Sequence, residues 1–282
     1  LRRSGAEIIV ALLERQGIRV IAGIPGGCNL PLYDALRDSS IRHILSRHEQ
    51  GAGFMAQGMA RTTGRAAVCF ATSGPGATNL LTAIADAKLD SIPVVAITGQ
   101  VPTAMIGTDA FQEVDVYGMT LPITKHNFLA RSAAELLEII PKAFEIAESG
   151  RPGPVLIDVP KDVQVQHVEF DVWPEPWNPI PPAPCDSPDI ERLAVMIHAA
   201  ARPILYVGGG VIMSEATHDL IALARKNSIP VACTLAGLGA FPPDDPLYLG
   251  MLGMHATRAT NMLLDEADLL LAIGVRFDDR AT

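Results

Sequence analysis

One apolar stretch, residues 93–98, constrains the fold of this chain more than any other feature. It shows no alternation of polar and apolar side chains, which is typical of a strand that is covered on both faces in a parallel sheet. Residues 66–71 form a second buried strand of this kind. Two such strands with helical patterns around them indicate an α/β fold built on a parallel sheet.

Predicted strands and helices alternate throughout residues 1–163. The predicted strands are residues 20–23, 41–45, 66–71, 93–98, 126–129 and 155–159. The predicted helices are residues 6–15, 30–36, 54–61, 77–87 and 141–148. Pro141 is expected at the first position of its helix, where proline is tolerated. The pattern predicts a doubly wound, six-stranded parallel sheet. Residues 99–124 form a long irregular connection, of a kind that is usually functional or mobile.

The second half of the chain has a different organisation. Residues 164–187 are rich in proline, contain both tryptophans and show no apolar period, which predicts a linker. A second, Rossmann-like α/β pattern follows at residues 188–282, with three predicted strands at 204–207, 231–234 and 269–273. No helix follows the last strand to cover it, so we expect this domain to be truncated and the sequence to be an N-terminal fragment.

Charge and composition exclude several functions. The net charge is −9, and lysine and arginine form no basic stripe, which argues against a nucleic-acid or anionic-membrane surface. No apolar run approaches the length of a membrane span. The cysteines, Cys28, Cys69, Cys185 and Cys233, lack metal-ligand spacing, which favours a reduced, cytoplasmic protein. Because the chain starts at Leu1, an organellar location after removal of a leader also stays open.

Glu49 is the first candidate for a catalytic side chain, because it lies between a predicted strand and a predicted helix. α/β folds build their sites where strands end. A structural alternative exists, since Ser46 and Glu49 have the spacing of a capping box, in which the serine caps the helix and the glutamate bonds back to its backbone. The local sequence alone favours the capping box.

Three further motifs follow predicted strands, and each has a structural alternative. Glycines at 208–210 would let a backbone approach a phosphate or an adenosine, or would form only a tight turn. Residues 72–76 would form a ligand wall or a turn, and they lack the Lys-Ser/Thr of a P-loop. Residues 276–280 combine arginine with carboxylates, which suits a phosphate and a ribose hydroxyl, or a solvated charge cluster.

Taken together, these motifs resemble one family. In chain order they are Pro25-Gly-Gly27, Arg47-His-Glu-Gln-Gly-Ala52, Thr72-Ser-Gly-Pro-Gly-Ala-Thr-Asn79, Thr98-Gly-Gln-Val-Pro102, Ile106-Gly-Thr-Asp-Ala-Phe-Gln-Glu113, Gly150-Arg-Pro-Gly-Pro154, Pro160-Lys-Asp162, Gly208-Gly-Gly210 and Arg276-Phe-Asp-Asp-Arg280. The ordered set is similar to the catalytic large subunits of the acetolactate (acetohydroxyacid) synthase family of thiamine-diphosphate enzymes. The resemblance covers the whole sequence.

The resemblance implies three domains in the complete protein. Residues 1–163 correspond to a pyrimidine-binding domain, residues 164–187 to a linker and residues 188–282 to the start of a central FAD-binding domain. The family's third domain holds Mg²⁺ and the diphosphate with a Gly-Asp-Gly…Asn motif, and no Gly-Asp-Gly occurs here. The implied cofactors are therefore thiamine diphosphate, Mg²⁺ and FAD, with no metal ligand in this fragment and no activity of the fragment alone.

The resemblance also implies individual roles. A glutamate of the family hydrogen-bonds N1′ of the aminopyrimidine and promotes loss of the C2 proton, and Glu49 has its position. The other implied thiamine-site residues are Thr72, Pro75 and Asn79 at the pyrimidine, and Gly26, Gly27, Phe111 and the catalytic Gln112 near the thiazolium and the ketoacid. The implied FAD contacts are Arg151, Gly208, Gly209, Gly210, Thr234, Leu252, Gly253, Met254, His255, Gly274, Arg276, Asp278 and Arg280. The implied substrate channel contains Pro102, Phe111 and Lys161.

In the implied reaction, one pyruvate loses CO₂ and is then joined to a second pyruvate or to 2-ketobutyrate. The products, 2-acetolactate and 2-aceto-2-hydroxybutyrate, lead to branched-chain amino acids. Thiamine sites of the family lie between subunits, so a homodimer or tetramer of large subunits is expected, together with a regulatory small subunit. Two alternatives stay open: a related enzyme such as pyruvate oxidase, and a non-catalytic nucleotide-binding module.

Overall fold

Six parallel strands form the main sheet of the first of two units, Leu1–Pro181 and Pro182–Thr282. The computed structural model describes residues 1–181, 183–185 and 187–281. Residues 182 and 186 of the expected linker and residue 282 of the second expected domain lie outside this description. The α/β class predicted from the sequence is confirmed in both units, each of which contains a parallel sheet.

The first unit contains eight strands among its described residues. They are β1 (Arg2–Ser4), β2 (Val20–Gly23), β3 (Arg42–Leu45), β4 (Ala67–Ala71), β5 (Val94–Gln100), β6 (His126–Leu129), β7 (Val155–Pro160) and β8 (His167–Glu169). The helices are α1 (Gly5–Arg15), α2 (Leu30–Arg37), α3 (Glu49–Thr63), α4 (Pro75–Asp90), α5 (Val116–Thr120), α6 (Leu136–Glu148) and α7 (Lys161–Val165). Strands β1 and β8 pair only with each other, antiparallel, and the other six form the predicted sheet.

The strand order of the main sheet, β3-β2-β4-β5-β7-β6, creates a switch point between β2 and β4. The chain leaves β2 towards one edge to form β3 and then returns to the other side of β2 to form β4. Doubly wound sheets bind ligands outside the carboxyl ends of the strands at such a point. Gly23, the last residue of β2, pairs with Phe70 near the end of β4, so the loops that follow these strands are neighbours.

Small side chains determine how closely α3 approaches α4. The inner face of α3 consists mainly of alanine and glycine, including Ala52, Ala56 and Ala60, which are fully or almost fully buried. A Cβ added at Gly53 would lie 2.6 Å from the Cβ of Ala83, so the two helices pack nearly backbone to backbone. This close packing brings the N-terminal turns of both helices together at the carboxyl edge of the sheet.

Two predicted helix starts are wrong. Helix α3 begins at Glu49 rather than at residue 54, because its first turns also pack against α4, where Gly53 meets Ala83. Helix α6 begins at Leu136, so Pro141 lies inside the helix rather than at its start. Proline there removes one backbone hydrogen bond, but α6 buries a row of apolar side chains that includes Ile140 and Phe144. Tertiary packing therefore overrides the local preference.

Part of the expected linker packs against the first unit. After α7 and β8, Trp173 and Trp177 pack against the hydrophobic core that lies over α1 and α6. Gln16 makes two hydrogen bonds with the backbone of Trp177: its Nε2 donates to the carbonyl oxygen at 2.7 Å, and its Oε1 accepts from the N–H at 2.9 Å. The segment is extended here, but it is attached to α1 rather than free.

The second unit contains a four-stranded parallel sheet among its described residues. Its strands are β9 (Pro203–Val207), β10 (Val231–Cys233), β11 (Tyr248–Met251) and β12 (Leu269–Ile273), and its helices are α8 (Ser187–Ala199), α9 (Gly210–Met213), α10 (Thr217–Asn227) and α11 (Arg258–Glu266). The strand order β11-β10-β9-β12 gives a switch point between β9 and β12. Three strands were predicted, and β11 is additional. None of its residues is fully buried and Gly250 has a φ of 82°, so its sequence lacks the apolar pattern of a strand.

Candidate functional site

Glu49 is the first residue of α3, and it is only 8% exposed. His48 caps the helix, since its Nδ1 accepts a hydrogen bond of 3.1 Å from the backbone N–H of Gln50. The Oε2 atom of Glu49 accepts a hydrogen bond of 2.8 Å from Asn79 Nδ2 in α4. The Oε1 atom has no hydrogen-bond partner among the described residues. One oxygen of a shielded carboxylate is therefore available to a ligand.

The capping-box interpretation of Ser46 and Glu49 is wrong. The cap residue is His48, and the buried Oγ of Ser46 has no hydrogen-bond partner within the described part of the chain. The backbone N–H of Ser46 donates to the carbonyl oxygen of Gly23, not to Glu49. The Glu49 side chain is thus oriented by Asn79 of the neighbouring helix α4, and it does not cap its own helix α3.

The loops after β2 and β4 meet at the switch point. A Cβ added at Gly26 would lie 2.6 Å from the Cβ of Thr72, closer than side chains normally approach. Thr72 Oγ1 also accepts a hydrogen bond of 3.2 Å from the backbone N–H of Cys28. Gly27 differs from its neighbour, because an added Cβ there would meet nothing within 4 Å. Gly26 is therefore required by packing against Thr72, whereas Gly27 leaves open space.

Gly76 joins this contact to Glu49. A Cβ added at Gly76 would lie 2.7 Å from Thr72 Cγ2 and 3.4 Å from Glu49 Oε1. Space beside the unpartnered oxygen exists because residue 76 has no side chain. Pro75 precedes it as the first residue of α4, where the fixed φ of proline suits a helix start. The structure brings Glu49, Thr72, Pro75 and Asn79 into one cluster at the carboxyl edge of the sheet.

Gln112 reaches this cluster from the loop between β5 and α5. Its backbone has a left-handed φ of 59°, an unfavourable conformation that is often found at functional sites. It packs against Gly74, where an added Cβ would lie 2.7 Å from the Gln112 carbonyl oxygen. Phe111, in contrast, is 87% exposed. The loop thus brings Gln112 to the turn that contains Thr72 and leaves the Phe111 side chain on the surface.

Pro102 and Lys161 follow the paired ends of β5 and β7. The loops that carry them are connected by Thr103, whose backbone N–H and Oγ1 both donate to Asp162 Oδ1, at 2.9 and 3.1 Å. Lys161 also lines an open cavity of about 580 Å³ with residues of α2. Two of the three residues expected in the substrate channel, Pro102 and Lys161, therefore lie at the same edge of the sheet.

Three buried polar residues near this edge were not selected from the sequence: Thr98, Gln100 and Asp158. The Asp158 side chain is 1% exposed, and it accepts hydrogen bonds from Thr98 Oγ1 at 2.7 Å and from Gln100 Nε2 at 3.0 Å. Burial raises the pKa of Asp158 to about 7, although both hydrogen bonds oppose this shift. The signal was present in the sequence, because Asp158 is the only charged residue in the apolar strand β7.

In the second unit, Gly208, Gly210 and Gly274 meet at the switch point between β9 and β12. A Cβ at Gly208 would overlap the carbonyl oxygen of Gly274, and one at Gly210 would lie 2.7 Å from the Gly274 Cα. Gly209 approaches a different turn, with Ala236 Cβ 3.0 Å from an added Cβ. Close backbone packing accounts for these glycines, as the tight-turn alternative expects, and it places them where a doubly wound sheet binds ligands.

Thr234 and residues 252–255 follow β10 and β11. Thr234 donates its N–H to the carbonyl oxygen of Val207 at 2.8 Å, and its Oγ1 caps a short 3-10 turn. Leu252 is 2% exposed, whereas Met254 and His255 are exposed. The ends of these two parallel strands therefore present residues at the same edge as the glycine turns.

Arg280 connects the C-terminal charged motif to this edge. The carbonyl oxygen of Arg280 accepts a hydrogen bond of 2.9 Å from the N–H of Met254. A Cβ added at Gly253 would overlap this same oxygen. Within the motif, Arg276 pairs with Asp278 at 3.4 Å, and both side chains are partly exposed. The motif is thus an ion-paired loop beside the strand ends, with two guanidinium groups near the surface.

Arg151 belongs to the first unit, whereas the other expected FAD contacts belong to the second. Its Nε donates a hydrogen bond of 2.8 Å to Ser91 Oγ, and Nη2 donates to the carbonyl oxygen of Leu89 at 3.3 Å. Within its own unit, Arg151 therefore stabilises the turn at the end of α4.

Two features are absent from the described residues: a metal-binding cluster and a membrane-spanning helix. No group of three or more His, Cys, Asp and Glu side chains in the described ranges has an arrangement that could hold a metal ion. None of the described helices has both the length and the apolar character needed to cross a membrane.

Comparison with known families identifies the type of domain in each half of the chain. Residues 3–119 match the N-terminal TPP binding domain of thiamine pyrophosphate enzymes, and residues 190–282 match the central domain of the same enzymes. The two matches correspond to the two units in which the candidate residues lie.

Curated relatives are similar over almost the whole chain. Acetolactate synthase isozyme 1 large subunit of Escherichia coli (strain K12) is 59% identical over 281 residues, which are 99% of this chain and 50% of that protein. The acetolactate synthase of Mycobacterium bovis is 54% identical, and the match covers 99% of this chain and 46% of that protein. The chloroplastic acetolactate synthase of Arabidopsis thaliana is 50% identical, and the match covers 99% of this chain and 42% of that protein.

This chain spans about half the length of the curated relatives that it matches. The matched half contains the two domain types and all the candidate residues described above. The chain belongs to the thiamine pyrophosphate enzymes, and within them it is similar to acetolactate synthase large subunits.

Proposed function

We propose that this chain supplies the glutamate side of a thiamine-diphosphate site in an acetolactate synthase. The protein would condense pyruvate, with loss of CO₂, with pyruvate or 2-ketobutyrate, giving 2-acetolactate or 2-aceto-2-hydroxybutyrate for branched-chain amino acid biosynthesis. The observation that carries the proposal is the buried Glu49 carboxylate, whose Oε1 is unpartnered among the described residues and faces space kept free by Gly76.

The cluster around Glu49 fits an aminopyrimidine. The unpartnered Oε1 would share a proton with N1′ of a bound ring, while Asn79 keeps the carboxylate in place through Oε2. Thr72 and Pro75 provide the wall of the site at the start of α4. When bound, thiamine diphosphate supplies a carbon acid, C2, whose chemistry allows a ketoacid to lose CO₂.

The residues around Gln112 fit the ketoacid side of the same site. Gly26 and Gly27 form the turn after β2, and Gly27 leaves space for a ligand. Gln112 approaches from the opposite loop, and Phe111 and Pro102 lie on that loop as lining for a substrate channel. Lys161 contributes a cation that could meet the substrate carboxylate.

The second unit fits part of an FAD site. Gly208, Gly209, Gly210, Gly274 and Thr234 lie at the ends of parallel strands around the switch point, and the guanidinium groups of Arg276 and Arg280 could meet the diphosphate. Leu252, Gly253, Met254, His255, Asp278 and Arg151 complete the expected contacts. The overall reaction transfers no net electrons, so FAD has a structural role in this proposal.

The proposed domain limits are residues 1–163 for pyrimidine binding, 164–187 for the linker and 188–282 for part of the FAD-binding domain. Mg²⁺ is a proposed cofactor for which we expect no ligand from these residues. The proposed assembly is a homodimer or tetramer of large subunits with a regulatory small subunit. We expect a cytoplasmic location, or an organellar one for a chain that carries a leader.

The direct test is an assay of the protein expressed from its complete reading frame. Pyruvate should yield acetolactate when thiamine diphosphate and Mg²⁺ are present, and omission of thiamine diphosphate should abolish the reaction. Oxygen consumption without acetolactate would instead indicate a pyruvate oxidase. Binding of nucleotide without any turnover of ketoacids would indicate a non-catalytic module, and either result would contradict the proposal.

A further inference from the structure

Gln100 binds both ends of the long loop between β5 and α5. Its Oε1 accepts a hydrogen bond of 2.8 Å from the backbone N–H of Val101, where the loop leaves β5. Its Nε2 donates to the carbonyl oxygen of Val114 at 3.0 Å, shortly before α5 begins. A single amide side chain therefore closes the loop that contains residues 101–115.

Asp158 determines the direction in which this amide points. Gln100 Nε2 donates to Asp158 Oδ2 at 3.0 Å as well as to Val114. If the amide flipped, its oxygen would face the Asp158 and Val114 oxygens and its nitrogen would face the N–H of Val101. Thr98 Oγ1 holds the other carboxylate oxygen at 2.7 Å. The network thus permits one orientation of the amide.

The three side chains are shielded from water. The exposed fractions are 0% for Thr98, 2% for Gln100 and 1% for Asp158. A buried polar group that loses its partner cannot recover the bond from solvent. The network therefore penalises any movement that separates the loop ends from β5 and β7.

We propose that Gln100 and Asp158 are positioning residues for the 2-ketoacid substrate, because they hold the ends of the loop that carries Gln112. This inference rests on the proposed function, which assigns Gln112 to the ketoacid side of the site. Neither Gln100 nor Asp158 is a catalytic residue, since both act through the loop backbone. Displacement of a positioned group by about 1 Å is enough to reduce catalysis.

The network accepts both protonation states of Asp158. Burial raises the pKa of this carboxyl group to about 7, so both forms are populated near neutral pH. The Thr98 hydroxyl can donate to the carboxylate or accept from the carboxylic acid, while Oδ2 keeps its bond to Gln100. Asparagine reproduces the second arrangement, since its Oδ1 can face Gln100 and its Nδ2 can donate to Thr98. Asp158→Asn is therefore a conservative control, whereas Asp158→Leu removes the network at similar volume.

The test compares Gln100→Met, Asp158→Leu and Asp158→Asn in the enzyme expressed from its complete reading frame and loaded with its cofactors. Hydrogen exchange of peptides from residues 101–115 measures loop opening, and steady-state kinetics measure kcat and KM for pyruvate. Gln100→Met and Asp158→Leu should each speed loop exchange and lower kcat/KM, mainly through KM, by about tenfold. Asp158→Asn should stay close to the wild-type values.

Several outcomes would overturn the inference. Unchanged loop exchange in Gln100→Met would mean that this residue does not hold the loop, and faster exchange with unchanged KM would mean that the loop does not position substrate. Wild-type loop exchange in Asp158→Leu would remove Asp158 from the network. If Gln100→Met does not fold, Gln100→Asn, which is one methylene shorter and cannot reach Val114, carries the same expectations. If the wild-type enzyme turns over no ketoacid, the proposed function fails, and the exchange data still decide whether Gln100 holds the loop.

Discussion

Asn79 donates a hydrogen bond of 2.8 Å to Glu49 and thereby connects the start of α4 to the start of α3. No other described residue hydrogen-bonds the Glu49 carboxylate, so Asn79 fixes its direction. Asn79→Ala should slow C2 hydrogen exchange of bound thiamine diphosphate by about tenfold, because a hydrogen bond to a charged group contributes about 1.5 kcal/mol or more. Exchange is measured by NMR after acid quenching of the loaded enzyme.

The matched control for this prediction is Asn227→Ala. Asn227 is exposed in the second unit, and its Nδ2 donates to the carbonyl oxygen of Leu223. This variant should exchange C2 hydrogen at the wild-type rate. An Asn79→Ala enzyme that matched the control would show that the hydrogen bond has no part in orienting the carboxylate.

The contact between Gly26 and Thr72 predicts different effects of alanine at two adjacent positions. A Cβ at residue 26 would lie 2.6 Å from Thr72, whereas a Cβ at residue 27 would meet nothing within 4 Å. Gly26→Ala should lower the free energy of unfolding by about 1–3 kcal/mol through overpacking. Gly27→Ala should leave it almost unchanged. Thermal unfolding of both variants tests this, and equal melting temperatures would contradict the observed packing of the two turns.

Asp158 predicts that part of the folding stability is lost as pH rises. Burial, aided by the charge of Asp115, raises its pKa from 3.8 to about 7 in the folded protein, against the hydrogen bonds from Thr98 and Gln100. Between about pH 4 and pH 7 the folded state therefore holds a proton that the unfolded state has released. The free energy of unfolding should fall across this range, by at most on the order of 4 kcal/mol.

Denaturant unfolding at pH 5 and pH 8 measures this effect when wild type is compared with Asp158→Asn. Asparagine has no proton to lose, so the variant should lose less stability between the two pH values than wild type does. Equal losses in the two proteins would mean that Asp158 is already ionised at pH 5.

The sequence predicted the main sheet well because its strands are apolar and separated by clear helical patterns. Strand β11 was missed because it is short, partly exposed and contains Gly250 in a left-handed conformation. The start of α6 was misplaced because the position of Pro141 depends on what the helix buries, not on its local sequence. Long-range packing determines both features, and a local sequence pattern carries no information about that packing.

The candidate site was only partly predictable for a similar reason. Motif resemblance selected Glu49 and Asn79 separately, but their hydrogen bond depends on the close packing of α3 against α4. The local rule for Ser46 suggested a capping box because sequence spacing cannot reveal that His48 caps the helix. Asp158 was not selected, although a lone carboxylate in an apolar strand is a signal for a buried polar network.

Exchange of the C2 hydrogen of thiamine diphosphate in Glu49→Gln is the most direct test of the central claim. Glutamine keeps the size and the hydrogen-bonding oxygen of the side chain but cannot take up a proton as a carboxylate does. If Glu49 promotes proton loss at C2, the exchange rate in the loaded enzyme should fall by about two orders of magnitude or more, with the fold intact. Exchange at the wild-type rate would contradict the role assigned to Glu49.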